Sequence, residues 1–129
     1  MGHVKIDVAK DERALTQTYA LNTVAGVKAL LRDRHTIASR RFRGDTAASD
    51  ILIDLHSAIE SAELSNNQAE VIAWLYGLDF TQGTAAQIMG ISQKNVSEYA
   101  DIALERIAAV FKRWGYSEIT TEIREDAVA

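Results

Sequence analysis

Apolar residues recur at helical spacing along most of the chain and divide it into several predicted helices. In the N-terminal part they lie three to five positions apart, which is typical of one helix from about Asp11 to Arg34. This apolar stripe needs a partner, either within the chain or in a second copy, so the segment is a candidate for homodimerisation. The stripe consists of Leu15, Tyr19, Val24, Val27, Leu30 and Leu31.

A second helical pattern follows a predicted turn at residues 43 to 46. Gly44 and Asp45 break helices for different backbone reasons, which makes this turn the best candidate boundary in the chain. The next helix can be capped by Ser49 or Asp50 and is expected to end near Glu63. Its apolar face consists of Ile51, Leu52, Leu55, Ile59 and Ala62.

Three further helices are predicted, each opened by a hydroxyl residue that can act as N-cap: Ser65, Thr81 and Ser92. Gly77 is expected to end the first of them, and Gly90 to take the left-handed conformation after the second. The buried face of the first helix is predicted at Val71, Ile72, Leu75 and Tyr76. That of the third is predicted at Val96, Tyr99, Ala103, Ile107, Val110, Phe111 and Trp114.

The composition favours helix throughout. The 129 residues include no Pro, and abundant Ala, Leu, Ile, Glu and Arg favour helix, so we expect an all-α fold. The absence of Cys excludes disulfides and thiolate metal sites. With no signal-peptide pattern and no stretch approaching about 20 apolar residues, we expect a cytoplasmic protein that does not enter a membrane.

Charge is distributed unevenly along the sequence, although the formal net charge is only -4. Between Lys28 and Arg43 there are six basic residues against one acid. Between Gly44 and Gln93 there are seven acids and no Lys or Arg. The negative net charge argues against indiscriminate nucleic-acid binding. The separation into a basic and an acidic segment is nevertheless more informative than the net charge.

The residues between positions 86 and 99 have the spacing of a helix-turn-helix. Ala86 must be small because two helices cross close to it, and Gly90 takes the left-handed turn. Ile91 fills the corner between the helices. Val96 and Tyr99 then face back into the core.

A wider segment, about a third of the chain from Leu64 to Ile107, resembles the last region of bacterial sigma factors without a gap. The family's opening Leu-Thr, its Glu-Val-Ile and its Ile-Ala-x-x-Leu-Gly-Ile-Ser have counterparts in residues 64–65, 70–72 and 85–92. Thr81 matches the family's Gly-Leu-Thr loop, and residues 103–107 resemble its Arg-Ala-Leu-Glu-Lys-Leu ending.

The resemblance implies a helical, basic N-terminal segment over residues 1–44 and a four-helix sigma-like helix-turn-helix domain over residues 49–116. A tail over residues 117–129 is expected to fray. The chain is too short for the other sigma regions, so the resemblance is to a small regulator. Phage late-gene activators of the ArpU type share this size and basic N-terminal half, and the aromatic-Gly stretch at residues 113–116 is similar to their ending. The implied function is sequence-specific transcription regulation on double-stranded DNA, by a phage or prophage protein.

The recognition helix of the motif is expected to begin at Gln93. We expect the major groove to be read by Gln93, Lys94, Asn95, Ser97, Glu98 and Asp101. Gln93 and Asn95 can form paired hydrogen bonds with adenine, and Lys94 suits a phosphate or a guanine. Glu98 can accept a hydrogen bond from cytosine. Phosphates are expected at the helix N-termini, on Thr81, Gln82 and Ser92.

This recognition helix departs from the family, which usually carries several Arg residues after the conserved Val. Residues 93–107 hold three acids, at positions 98, 101 and 105, against Lys94 and Arg106, which weakens attraction to phosphates. Dimerisation or an auxiliary basic patch can compensate. That patch consists of Arg32, Arg34, Arg40, Arg41 and Arg43, and its alternative interpretation is a solvated helix end.

Two other functions stay open. The acidic stretch between Asp45 and Asp79 suits a sigma-like interaction protein that binds RNA polymerase or another regulator. A phage small terminase subunit also uses a helix-turn-helix, but that family places the motif before its oligomerisation region, whereas here it is C-terminal.

Catalysis and metal binding have little support in the sequence. There is no nucleophile elbow and no phosphate-binding glycine loop. His56 and Glu60 lie one helical turn apart, but no third residue has the spacing expected of a further metal ligand. We therefore expect no catalytic residue, no metal site, no cofactor and no enzymatic activity.

Overall fold

Helices dominate the computed structural model, which describes residues 3–7, 13–41 and 46–125, and the expectation of a helical fold is confirmed. The helices are α1 (Val24–Arg41), α2 (Thr46–Ser61), α3 (Asn66–Ile72), α4 (Gln82–Met89) and α5 (Gln93–Arg113). A π-helical turn, Ala73–Gly77, continues α3 and ends at the glycine where a stop was predicted. Within the described ranges, no helix has the length and apolar character needed to cross a membrane.

A three-stranded antiparallel sheet joins the two ends of the described chain. Its strands are β1 (His3–Asp7), β2 (Arg13–Ala20) and β3 (Glu118–Glu125), with β2 in the centre. In the register, Thr18 of β2 lies opposite residue 3 of β1 and residue 120 of β3. Two local predictions are therefore wrong: residues 13–20 form a strand where a helix was expected, and the tail pairs with this strand where fraying was expected.

The apolar residues of segment 13–20 have a spacing that fits both a helix and a strand, which explains why a helix was predicted. Leu15 and Tyr19 are four positions apart, and this spacing fits a strand of period two as well as a helix. Thr16 and Thr18 between them are β-branched and favour the strand. Helix α1 accordingly begins at Val24 and extends to Arg41, well beyond the predicted end.

The turn between β2 and α1 is held by a short hydrogen-bond network. The Thr23 hydroxyl donates to the Ala20 carbonyl at 2.7 Å and accepts from the Gly26 backbone N–H at 3.1 Å. Gly26 lies so close to β2 that a Cβ at this position would be 1.9 Å from the Ala20 carbonyl oxygen. Only glycine permits this approach of helix and strand.

The larger of two hydrophobic cores lies between α1, α2 and the C-terminal half of α5. Its fully buried side chains include Val27, Leu30 and Leu31, so the apolar stripe of the N-terminal segment is covered by its own chain. Tyr19 at the end of β2 is also completely buried, and its hydroxyl donates to Asp33 at 2.7 Å. Helix α2 begins at Thr46, three to four residues before the predicted cap, and most of the predicted turn before it lies outside the described residues.

A smaller core lies between α3, α4 and the N-terminal half of α5. Its buried residues are Val71, Ala85, Ala86, Val96 and Ala100. Trp74, Leu75, Met89, Ile91 and Tyr99 pack around them and remain partly exposed. Helix α5 contributes to both cores without interruption, since Ala100 belongs to the smaller and Ala103 to the larger.

Candidate nucleic-acid interface

Helices α4 and α5 meet at a tight turn around Gly90. This glycine has the left-handed conformation, φ 70°, as predicted, and the Ile91 backbone N–H donates to the Ala86 carbonyl at 3.1 Å. The predicted N-caps are also confirmed, because the Thr81 side chain accepts from the Thr84 N–H and the Ser92 side chain from the Asn95 N–H. Each cap satisfies a donor that the first helical turn would otherwise leave unpaired.

Helix α3 braces the other side of this pair. Ser65 and Gln68 form a reciprocal capping box at its start. The Asn67 side chain donates to the Tyr99 hydroxyl at 3.2 Å and so links α3 to α5. At the other end, the Trp74 ring stacks on Phe80 with centroids 5.4 Å apart. Phe80 directly precedes the N-cap Thr81, so this stack connects the turn after α3 to the start of α4.

The predicted base-reading residues lie in the first three turns of α5 and point away from the core. Five of the six are exposed, and Ser97 is half-buried. Val96, Ala100 and Ala103 occupy the opposite side of the helix and are buried. At about 100° per residue, Lys94, Glu98 and Asp101 lie together at the centre of the outward face, whereas Gln93 and Asn95 lie toward its two opposite flanks.

The side chain of Gln93 lies over the first turn of α4. A Cβ at Gly83 would be 3.7 Å from the Gln93 Oε1 atom and 3.9 Å from the Thr81 hydroxyl oxygen. The three predicted phosphate contacts, Thr81, Gln82 and Ser92, are therefore close to the start of the recognition helix. Of these, Thr81 and Ser92 are exposed and Gln82 is half-buried.

The outward face of α5 carries an excess of negative charge. Glu98, Asp101 and Glu105 are all exposed, as is Ile102 between them. Arg106, on the side of this face, donates to the Glu63 carbonyl at 2.9 Å and so ties α5 to the turn between α2 and α3. This leaves Lys94 as the cation that the first three turns of α5 offer to an anionic ligand.

Helix α1 packs against α5 and carries exposed cations, a neighbourhood that sequence reasoning missed. Burial raises the pKa of the Tyr76 hydroxyl, and the charges of Arg32 on α1 and Asp101 on α5 act on it in opposite directions, Arg32 lowering the pKa and Asp101 raising it. One helical turn further, His35 Nε2 is 3.5 Å from Asp79 Oδ2 in the loop before α4. Lys28, Arg32 and His35 recur at helical spacing and are all exposed.

Arg34, another member of the predicted basic patch, does not share a face with Arg32. Arg34, two positions on, lines a groove between α1 and α2. Arg40 and Arg41 belong to the last turn of α1, and Arg43 lies outside the described residues. Only spacing along the helix, i to i+4, could have indicated which of these cations share a face.

The structure offers little for metal chemistry in the part of the chain that it describes. His56 Nε2 is 3.7 Å from Glu60 Oε2, and both side chains are largely exposed. No group of three or more His, Cys, Asp or Glu side chains that could hold a metal ion occurs among the described residues.

Comparisons of the chain with protein families, with curated proteins and with solved structures found no significant match.

Proposed function

We propose that this chain binds double-stranded DNA through α4 and α5 and regulates transcription from specific sites. The observation that carries the proposal is the left-handed turn at Gly90, which joins two capped helices and leaves the first three turns of α5 exposed. This is the arrangement by which a recognition helix enters a major groove. The resemblance to the last sigma region and to ArpU-type phage activators supports the same role.

In the proposed complex, phosphates are bound first and bases are read second. The N-termini of α4 and α5, with Thr81, Gln82 and Ser92, offer hydroxyls and backbone dipoles to phosphates. The amides of Gln93 and Asn95 suit adenine, and Lys94 suits guanine or a phosphate. Glu98 can accept from the amino group of cytosine, and Ser97 and Asp101 complete the reading surface.

The acidic residues on the outward face of α5 repel DNA phosphates, so cations from another part of the protein must offset this repulsion. Lys28 and Arg32 lie one helical turn apart on α1 and are both exposed, and the charge of Arg32 acts on the Tyr76 hydroxyl. From α1 they can contact the DNA backbone beside the groove that α5 occupies. We propose that α1 contributes this second, sequence-independent contact.

The test begins with selection of bound fragments from genomic DNA by the purified protein, which yields the site. On that site, the double variant Lys94→Ala with Asn95→Ala should lose about 1–3 kcal/mol of binding free energy, measured by fluorescence anisotropy. The slope of log affinity against log salt should fall by about one.

Lys112→Ala is the matched control, because it removes the same charge from an exposed position in the last turn of α5. It should leave binding to the selected site nearly unchanged. If the double variant binds as tightly as this control while its circular dichroism is native, α5 is not the recognition helix.

A second candidate function is favoured by one observation, the exposed acids Glu98, Asp101 and Glu105 on the face that would enter DNA. An anionic surface attracts a basic protein partner, such as a region of RNA polymerase or another regulator. Recovery of polymerase in a pull-down, with no fragment selected from genomic DNA at low salt, would favour this interaction role.

A further inference from the structure

An apolar groove separates α1 from α2 on a side of the molecule that the proposed DNA contacts do not use. Its volume is about 420 Å³. Most of its lining residues are apolar, and the polar ones are Arg34 of α1 with His56 and Ser57 of α2. Ile53 stands at its edge with 55% of its surface exposed, although it lies on a helix whose neighbouring apolar residues are buried or half-buried.

The charged residues around the groove are complementary to one another. Arg34 is half-buried, and no acidic partner is found for it in the described part of the chain. Asp50 is exposed one helical turn before Ile53, on the same face of α2. The other acids of α2 are already engaged, since Asp54 accepts from the Tyr116 hydroxyl and Glu60 lies beside His56.

The groove is therefore suited to an apolar side chain with a carboxylate one helical turn away. The surface of this chain presents such a pair in Ile53, at the edge of the groove, and Asp50, one helical turn before it. One surface patch thus carries both the groove and the side chains that fit it. Such a patch is self-complementary, as a two-fold symmetric contact requires, because the same residues then serve on both subunits.

We infer that the α1–α2 groove is a homodimer interface, occupied by α2 of a second copy of the chain. Ile53 of each copy fills the groove of the other, and Asp50 of each copy pairs with Arg34 of the other. The inference does not depend on DNA binding, because every residue in it lies outside α4 and α5 and its test is done without DNA.

The first test compares two isoleucine variants by sedimentation over a series of protein concentrations. Ile53→Lys should raise the dimer dissociation constant by roughly 100-fold or more, because each dimer loses two buried isoleucines. Ile102→Lys is the matched control, since Ile102 is 41% exposed on the outward face of α5, and it should dimerise like the unmodified protein. An unmodified protein that stays monomeric throughout, or equal dimerisation of the two variants, would overturn the inference.

A charge exchange tests the pairing itself. Arg34→Glu and Asp50→Arg should each weaken self-association, because each places like charges opposite each other twice per dimer. A mixture of the two variants restores both opposite-charge pairs and should associate at least about tenfold more tightly than either variant alone. Circular dichroism of each variant checks its fold, and a mixture no tighter than its components contradicts the pairing.

Discussion

At the scale of single residues, Gly26 is the position where the backbone leaves least room. It lies where α1 passes over the end of β2, against the carbonyl of Ala20. Gly77, in contrast, ends the π-helical turn in open space, and a Cβ added there would have no neighbouring atom within 4 Å. The same substitution is therefore expected to cost much more stability at Gly26 than at Gly77.

Gly26→Ala is expected to destabilise the fold by more than about 3 kcal/mol, because the backbone of β2 must move to admit a methyl group. Gly77→Ala should change stability by less than about 1 kcal/mol, since its methyl group meets open space and restricts the unfolded chain. Urea denaturation of both variants measures the difference. Equal midpoints would mean that α1 and β2 separate easily enough to admit the methyl group.

The caps of the helix-turn-helix also belong to the residue scale, and they were predictable. Ser65, Thr81 and Ser92 act on backbone groups three positions later, and Gly90 acts through its own φ angle. Such interactions need only neighbours in sequence. They were therefore found without knowledge of how the helices pack.

At the scale of elements, the sequence patterns failed at β2 and β3, where both segments depend on a distant partner. Residues 13–20 pair with residues 118–125, more than ninety positions later in the chain. Neither segment has a strict apolar alternation that would mark it as a strand by itself. A long-range pairing of this kind overrides a weak local helical pattern.

The segment that follows α5 is tied to α2 by the Tyr116 side chain. The Tyr116 hydroxyl donates to an Asp54 carboxylate oxygen, and the Tyr116 ring meets Phe111 edge to face at 5.0 Å. The hydrogen bond to Asp54, together with burial, raises the pKa of Tyr116 to about 12, from an ordinary value of 10.0. The neutral phenol is thus favoured in the folded state.

This shift predicts a loss of stability at alkaline pH. Below pH 10 the phenol is protonated in both states, and the full contribution of the bond is present. As pH rises from 10 to about 12, the unfolded chain loses this proton first, so unfolding becomes more favourable. Urea midpoints across this range should fall less steeply for Tyr116→Phe, which should also lose about 0.5–1.5 kcal/mol at neutral pH. Parallel pH profiles for the two proteins would contradict the assignment.

At the scale of the whole molecule, α5 is the element that both cores share. Its first half packs in the smaller core with α3 and α4, and its second half packs in the larger core with α1 and α2. The two tryptophans report on different ends, since Trp74 packs against the smaller core and Trp114 contacts Phe111 of the larger.

We expect the two cores to unfold in one transition, because no break in α5 separates them. In the single-tryptophan variants Trp74→Phe and Trp114→Phe, fluorescence and circular dichroism should give coincident urea midpoints. Leu30→Ala, a substitution in the larger core alone, should cost about 2–5 kcal/mol and shift both tryptophan signals equally. A Trp74 signal that does not respond would show that the helix-turn-helix unit unfolds independently.

The sequence by itself determined the features that depend on near neighbours. These are the predominantly helical class, the N-caps, the left-handed glycine after α4, and the set of residues on the exposed face of α5. Helical periodicity and capping act within a few residues, so one sequence suffices to find them.

The tertiary structure decided what lies beside the recognition helix and how the chain ends are used. It covers the apolar stripe of α1 within the chain and pairs the two ends in one sheet. These outcomes depend on which distant segments pack against each other. The local pattern of apolar and polar residues does not specify how favourable such a long-range contact is.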